Sequence, residues 1–139
     1  MSVKMPLMEW SSKYATRIPS IDRQHKVIIG FINDLHSGME EKEVRGIVGQ
    51  TLQGLINYTR VHFAYEAMLF KVYGFDDQQE HLATHERMVE KIGEFKERFD
   101  KGETDISDEL LTFLKNWLFH HILEDDMAYS EHLRAKGVE

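Results

Sequence analysis

Two pairs of residues in the middle of the chain have the spacing of metal-binding clamps. His62 and Glu66 stand four residues apart, and so do His81 and His85. On a helix, positions i and i+4 lie one above the other, with Cβ atoms about 5–6 Å apart. Between the pairs runs Gly74-Phe75-Asp76-Asp77, a turn signal. The simplest arrangement is two helices folded back on each other, each bringing two ligands to the seam. Three imidazoles and a carboxylate converging in this way point to a metal site, with further ligands expected from other helices.

A lone helical histidine is a satisfied structural or surface residue roughly nine times in ten. That reading suits His36, His132 and one of the adjacent His120 and His121, which point about 100° apart. It weakens for His25, His62, His81 and His85, which share the apolar sides of their helices. Burying four imidazoles without partners is costly, and a metal offers a shared solution. Nitrogen and oxygen ligands without sulfur leave zinc, iron, manganese, copper and nickel open. A zincin is excluded because the one H-x-x-x-H, His81 to His85, has Leu82 where the Glu base belongs. The Glu-x-x-His pairs of ferritin-like sites are absent too, Asp22-x-x-His25 being the nearest approach.

Apolar spacing supplies the elements that must position these residues. Residues 1–20 read as an extended arm broken by Pro6 and Pro19, yet anchored on the body by Leu7, Met8, Trp10, Tyr14 and Ile18. Ser20 or Asp22 can cap a first helix carrying Val27, Ile28, Phe31, Ile32 and Leu35, ending near Ser37-Gly38. A second helix is expected from about Glu40 to Tyr73, with Val44, Ile47, Val61 and Met68 among its apolar positions and Gly74 as its stop. Its weak points are Gly46, Gly49 and Gly54, each costing about 1 kcal/mol against Ala. The third helix starts from Asp76 or Asp77, with Asp77 and Glu80 spaced as a capping box, and runs to about Asp100. Thr104, Asp105 and Ser107 announce the fourth, which runs to about His132. Short connections make these an all-α, up-down-up-down antiparallel four-helix bundle. The expected organisation is an arm over 1–20, a bundle over 21–132 and a frayed tail over 133–139.

Composition narrows the function. The chain has 139 residues, 42% hydrophobic and 29% charged, which bounds it to one ordinary globular domain. A net charge of −7 leaves no electrostatic footprint for nucleic acid. No apolar run reaches the roughly 18 residues of a membrane span, so no membrane insertion is expected. Without cysteine there is no disulfide, iron–sulfur cluster or thiolate nucleophile. The first ten residues lack the apolar core of a signal peptide, so the expected location is cytoplasmic. The bundle is expected to account for the chain, with no appended signalling domain.

The segments Ile21-Asp22-Arg23-Gln24-His25-Lys26, His62-Phe63-x-x-Glu66, His81-x-x-x-His85 and Trp117-Leu118-x-x-His121-Ile122-x-x-x-Asp126, together with Trp10, resemble the hemerythrin family, and the bacteriohemerythrins within it. The resemblance runs from about Trp10 to Tyr129. It implies a site of two iron ions, Fe2+ or Fe3+, with a solvent-derived oxo or hydroxo bridge. His81, His85 and His121 would hold one iron, His25 and His62 the other, and Glu66 and Asp126 would bridge them. The second iron would keep an open position for dioxygen, walled by Ile28, Phe63, Trp117 and Leu118. Helical spacing alone favours Asp125 at i+4 from His121, about 40° off in projection, over Asp126 at about 140°. The family pattern favours Asp126, which fits if the helix loosens there, as π-bulges do at functional sites.

The implied activity is reversible dioxygen binding for storage, delivery or scavenging, not enzymatic turnover, with weak oxidase or peroxidase activity as the most expected of an enzyme. An oxygen-consuming enzyme is the implied partner, and a monomer or weak oligomer the implied state. A redox-sensing module, or a diiron enzyme such as a peroxidase or nitric oxide reductase, is the alternative.

Overall fold

The computed structural model describes residues 8–40, 45–103 and 107–139, without the side chains of Met39, Glu40, Ile47 and Ser107. Pro6, Leu7, Val44, Thr104 and Asp105 lie outside this range, so the roles expected of them do too. Among the described residues the elements are all helical. They are a 3-10 turn, Ser12–Tyr14, within the expected extended arm, then α1 (Pro19–Glu40), α2 (Arg45–Tyr73), α3 (Gln78–Asp100) and α4 (Ser107–His120). A π-helical turn, His121–Asp126, then joins α4 without a break to α5 (Met127–Ala135). α1 packs on α2, α2 on α3, and α1 on α4, giving a four-helix bundle. No described helix is long and apolar enough to cross a membrane.

Several helix ends differ from the sequence expectation. Pro19 opens α1 instead of breaking it, because the first helical position has no partner for an N–H in any case. Neither Ser20 nor Asp22 is the cap residue. Asp22 instead reaches back, accepting from the Thr16 N–H at 2.8 Å, the Thr16 hydroxyl at 2.7 Å and the Arg17 N–H at 3.2 Å. α1 also continues two residues past Gly38. The expected capping box at Asp77 does not form: Asp77 precedes α3, but its side chain makes no cap hydrogen bond.

The stop at Gly74 is as expected. Gly74 takes φ +67°, which its missing Cβ permits, and the Phe75 N–H reaches back to the Phe70 carbonyl at 3.2 Å. The rings of Phe70 and Phe75 close this cap, 5.2 Å apart.

The glycines that weaken α2 have a packing reason at two positions. A Cβ on Gly54 would lie 2.9 Å from the Phe31 ring, and one on Gly49 would lie 3.0 Å from Phe99. Tertiary packing thus replaces the lost propensity with a close helix–ring approach. Val61 and Met68, counted among the apolar positions of α2, point outward at 59% and 46% exposure. They follow the strip opposite His62 and Glu66.

The N-terminal segment is pinned by Asn33, whose Oδ1 accepts from the Met8 N–H at 2.9 Å and whose Nδ2 donates to the Met8 carbonyl at 2.7 Å. Met8 and Tyr14 are buried there. The C-terminus is not frayed. Val138 donates back to the Leu133 carbonyl at 3.1 Å, and both side chains are buried with Ile18, Phe70, Phe75 and Tyr129. Burial of two apolar side chains outweighs the usual entropy of a chain end.

The apolar interior falls into two clusters. The larger runs from Ile28, Ile32 and Leu35 through Leu52, Leu55, Ile92, Phe95 and Leu114. The smaller holds Ile18, Ile21, Leu69, Phe70 and Tyr129. Among the described residues, five buried imidazoles and two buried carboxylates belong to neither.

Candidate metal centre

His25 from α1, His62 and Glu66 from α2, His81 and His85 from α3, and His121 and Asp126 from the π-turn meet inside the bundle. Five imidazoles surround two carboxylates, and each carboxylate uses both oxygens. Glu66 Oε1 lies 2.5 Å from His62 Nε2 and 3.5 Å from His121 Nε2. Its Oε2 faces His81 Nε2 at 2.9 Å and His85 Nε2 at 3.1 Å. Asp126 turns Oδ2 to His25 Nε2 at 2.6 Å and His121 Nε2 at 3.0 Å, and Oδ1 to His81 Nε2 at 3.3 Å. Both carboxylates therefore span from an α1/α2 histidine to an α3 histidine. His121 sits between, and its Nε2 also lies 3.3 Å from His62 Nε2.

Close approach here is not the same as pairing. Both ring nitrogens of His25 and of His85, and both oxygens of Asp126, are buried without an aligned hydrogen bond. A 2.6 Å contact that misses hydrogen-bond alignment is what atoms show when they aim at a shared third point. Buried polar atoms left so are rare and costly. Ligand-type atoms of His25, His62, Glu66, His121 and Asp126 lie within 4.8 Å of one another, as do those of His81, His85 and His121. Imidazoles with carboxylates in two overlapping groups fit two borderline-to-hard cations such as iron.

The electrostatics agree. Burial pushes the Glu66 carboxyl up, but His62 and His121 outweigh it and hold it well below the carboxylate range. Asp126 is also lowered: burial and Glu66 oppose ionisation, and His121 and His25 overcome them. Burial lowers His25 and His85, favouring their neutral, ligating form. Burial opposes a charge on His81 and His121 too, yet Asp126 and Glu66 raise them to about 9 and about 10. Without metal, the two carboxylates thus favour the imidazolium form of His81 and His121. A metal must displace those protons, since only neutral imidazole coordinates.

The π-turn explains the choice between neighbours. His121 and Asp126 are the first and last residues of its six. A wider i→i+5 turn brings residue i+5 back over residue i, so both face inward. His120 is exposed and meets Glu124 at 3.4 Å, and Asp125 is only partly buried. His132, read as structural, contacts the Tyr73 carbonyl at 2.8 Å.

Two residues around the site have roles that sequence reasoning did not assign. Gln24 Oε1 lies 2.7 Å from His62 Nδ1, which places the proton there and leaves Nε2 free to ligate. The only signal was its place beside His25 in the family-like segment. The Tyr129 hydroxyl donates to Glu66 Oε1 at 3.3 Å, and burial raises its pKa well above the usual value, so it stays a donor. Its place one turn after Asp126 could have suggested it. Of the expected pocket residues, Phe63 stacks on His85 at 3.8 Å and Trp117 on His121 at 4.7 Å. Ile28 and Leu118 are fully buried in the larger apolar cluster.

Residues 16–133 match the model of the Hemerythrin HHE cation binding domain. The chain is 38% identical to a bacteriohemerythrin of Stenotrophomonas maltophilia, over 94% of this chain and 84% of the relative. It is 30% identical to that of Methylococcus capsulatus, over 94% of this chain and all of the relative. The crystal structure of a wild-type hemerythrin superposes with a TM-score of 0.85 at 30% identity, covering 91% of this chain and 98% of that one.

Proposed function

This chain belongs to the hemerythrin family, and from that premise we propose that it holds two iron ions and binds dioxygen reversibly. The observation that carries the reading is the convergence of five imidazole Nε2 atoms on two carboxylates, with buried nitrogens and oxygens left unpaired. His81, His85 and His121 would hold one iron and His25 and His62 the other, with Glu66 and Asp126 as the carboxylates available to both and an oxo or hydroxo group completing the centre. When bound, the iron pair supplies the electrons that dioxygen accepts on uptake and returns on release.

The chain's own residues do the rest. Gln24 fixes the His62 tautomer. Tyr129 steadies Glu66 from the side of the smaller apolar cluster. Phe63 and Trp117 lie flat on two imidazoles and exclude water. With Ile28 and Leu118 they wall the dioxygen pocket. None of the four can donate or accept a proton as a general acid or base, which favours binding over turnover.

Metal analysis tests the ligand set. The chain from iron-replete cells should carry about two irons, as two overlapping ligand groups require. A fully folded, iron-free protein would overturn the reading.

A further inference from the structure

Four of the convergent side chains, His25, His62, Glu66 and Asp126, are sealed from solvent, and His121 is 1% exposed. Only the α3 pair keeps more, His81 at 6% and His85 at 4%. Among the described residues the centre therefore meets the outside through α3, where two openings differ in character.

At His81 the opening is about 190 Å3, walled by Asp77, Glu80, Glu124 and Asp125 with Arg87. Charged walls hold water that an apolar solute would have to displace. At His85 the opening is a groove of about 620 Å3 between α2 and α3. Ala64 and Ala67 form one wall and Leu82 and Val89 the other. The two alanines, three positions apart on one face of α2, leave the space open. The charged residues along the groove, Arg60, Glu86 and Glu90, are themselves exposed. A crevice with such walls accepts a small apolar molecule more readily than an ion.

The floor of the groove is the stacked pair Phe63 and His85, 3.8 Å apart with 6° between planes. Behind it, the Phe63 ring approaches His121 and Trp117, each at 5.7 Å, and His62 at 6.0 Å. Phe63 thus stands between the groove and the imidazoles of His62 on α2 and His121 on the π-turn. Neither ring nitrogen of His85 has a hydrogen-bond partner, so turning the Phe63 ring aside breaks contacts but no hydrogen bond.

We propose that the α2–α3 groove is the route by which dioxygen reaches and leaves the centre, with the Phe63 ring as its inner door. This rests on the reading that the centre takes dioxygen.

The route can be tested apart from iron chemistry in the full chain loaded with zinc, which accepts the same ligand types without redox change. Dissolved dioxygen is paramagnetic, so ring protons that it reaches relax faster. Phe63, at 6% exposure, should respond more strongly than Phe75 and Phe99, which are 7% exposed but do not line the groove. Ala64→Phe and Val89→Phe fill the groove from different helices, and either should cut the Phe63 response by about threefold, since packed protein admits little gas. An unchanged response in both variants overturns the proposal. In iron-loaded protein the same variants should slow uptake and release by a common factor and leave affinity unaltered. Unchanged rates there also overturn it. Irreversible oxidation of the iron, with the groove-dependent relaxation intact in zinc protein, would contradict the carrier reading and support the route.

Discussion

α3 and the last helix each bring two side chains to the centre, by different backbones. α3 does it with a regular helix, placing His81 and His85 four residues apart on one buried strip. The last helix does it with a π-turn, placing His121 and Asp126 five residues apart. A regular helix can present i and i+4 to one point with no loss of backbone hydrogen bonding. The π-turn allows an i+5 pair, and it leaves Asp125 at a partly buried wall outside the ligand group. The i+5 spacing therefore means nothing until the local backbone is known, whereas the i+4 spacing can be read directly.

The largest expected effect separates the two aspartates of the π-turn. Asp126→Ala should lower iron content from about two per chain to below about one, because under the proposed ligand set its carboxylate is shared by both ions. Asp125→Ala should leave it nearly unchanged. Elemental analysis of the purified variants decides, and the reverse order would reassign the bridge to Asp125.

Deleting one residue from each backbone sharpens the contrast. Removing Thr84 swings His85 by about 100° off the strip, and only about one iron per chain should remain. Removing Glu124, an exposed residue of the π-turn, lets the segment close into a regular helix with its Asp at i+4 from His121. That variant should retain iron. If both deletions cost the same, the π-turn is not the device that brings Asp126 inward.

A smaller effect is expected at Gln24. Gln24→Leu removes the partner of His62 Nδ1 and should weaken iron binding about 10–100-fold in chelator competition. Gln24→Glu should restore most of it. Smallest is Tyr129→Phe, which removes one hydrogen bond to Glu66 and should reduce unfolding stability by about 1 kcal/mol. Denaturant titration checks it, with iron content unchanged.

The same contrast explains what was legible in the sequence. His62 with Glu66 and His81 with His85 declared themselves because each pair lies on regular helix. Apolar spacing likewise gave four helices and the stop at Gly74. Spacing argued for Asp125 and was neutral between His120 and His121. It was the resemblance to a family, with the allowance for a loosened helix, that singled out His121 and Asp126. Helix starts were less readable. Pro19 and Asp22 read as breaker and cap, yet the first opens α1 and the second ties back to Thr16, since either role depends on where the preceding chain runs. The burial of Leu133 and Val138 was hidden because it depends on a distant partner surface formed by Ile18, Phe70 and Phe75. Gln24 and Tyr129 contact the cluster only through tertiary placement.

The most direct test of the proposed activity is anaerobic reduction of the iron-loaded protein followed by cycles of dioxygen and its removal, watched by visible absorption. Charge-transfer bands that rise and fall reversibly, with about two irons per chain, are the predicted result for a carrier with two overlapping ligand groups. Immediate, irreversible conversion to the diferric form would contradict it.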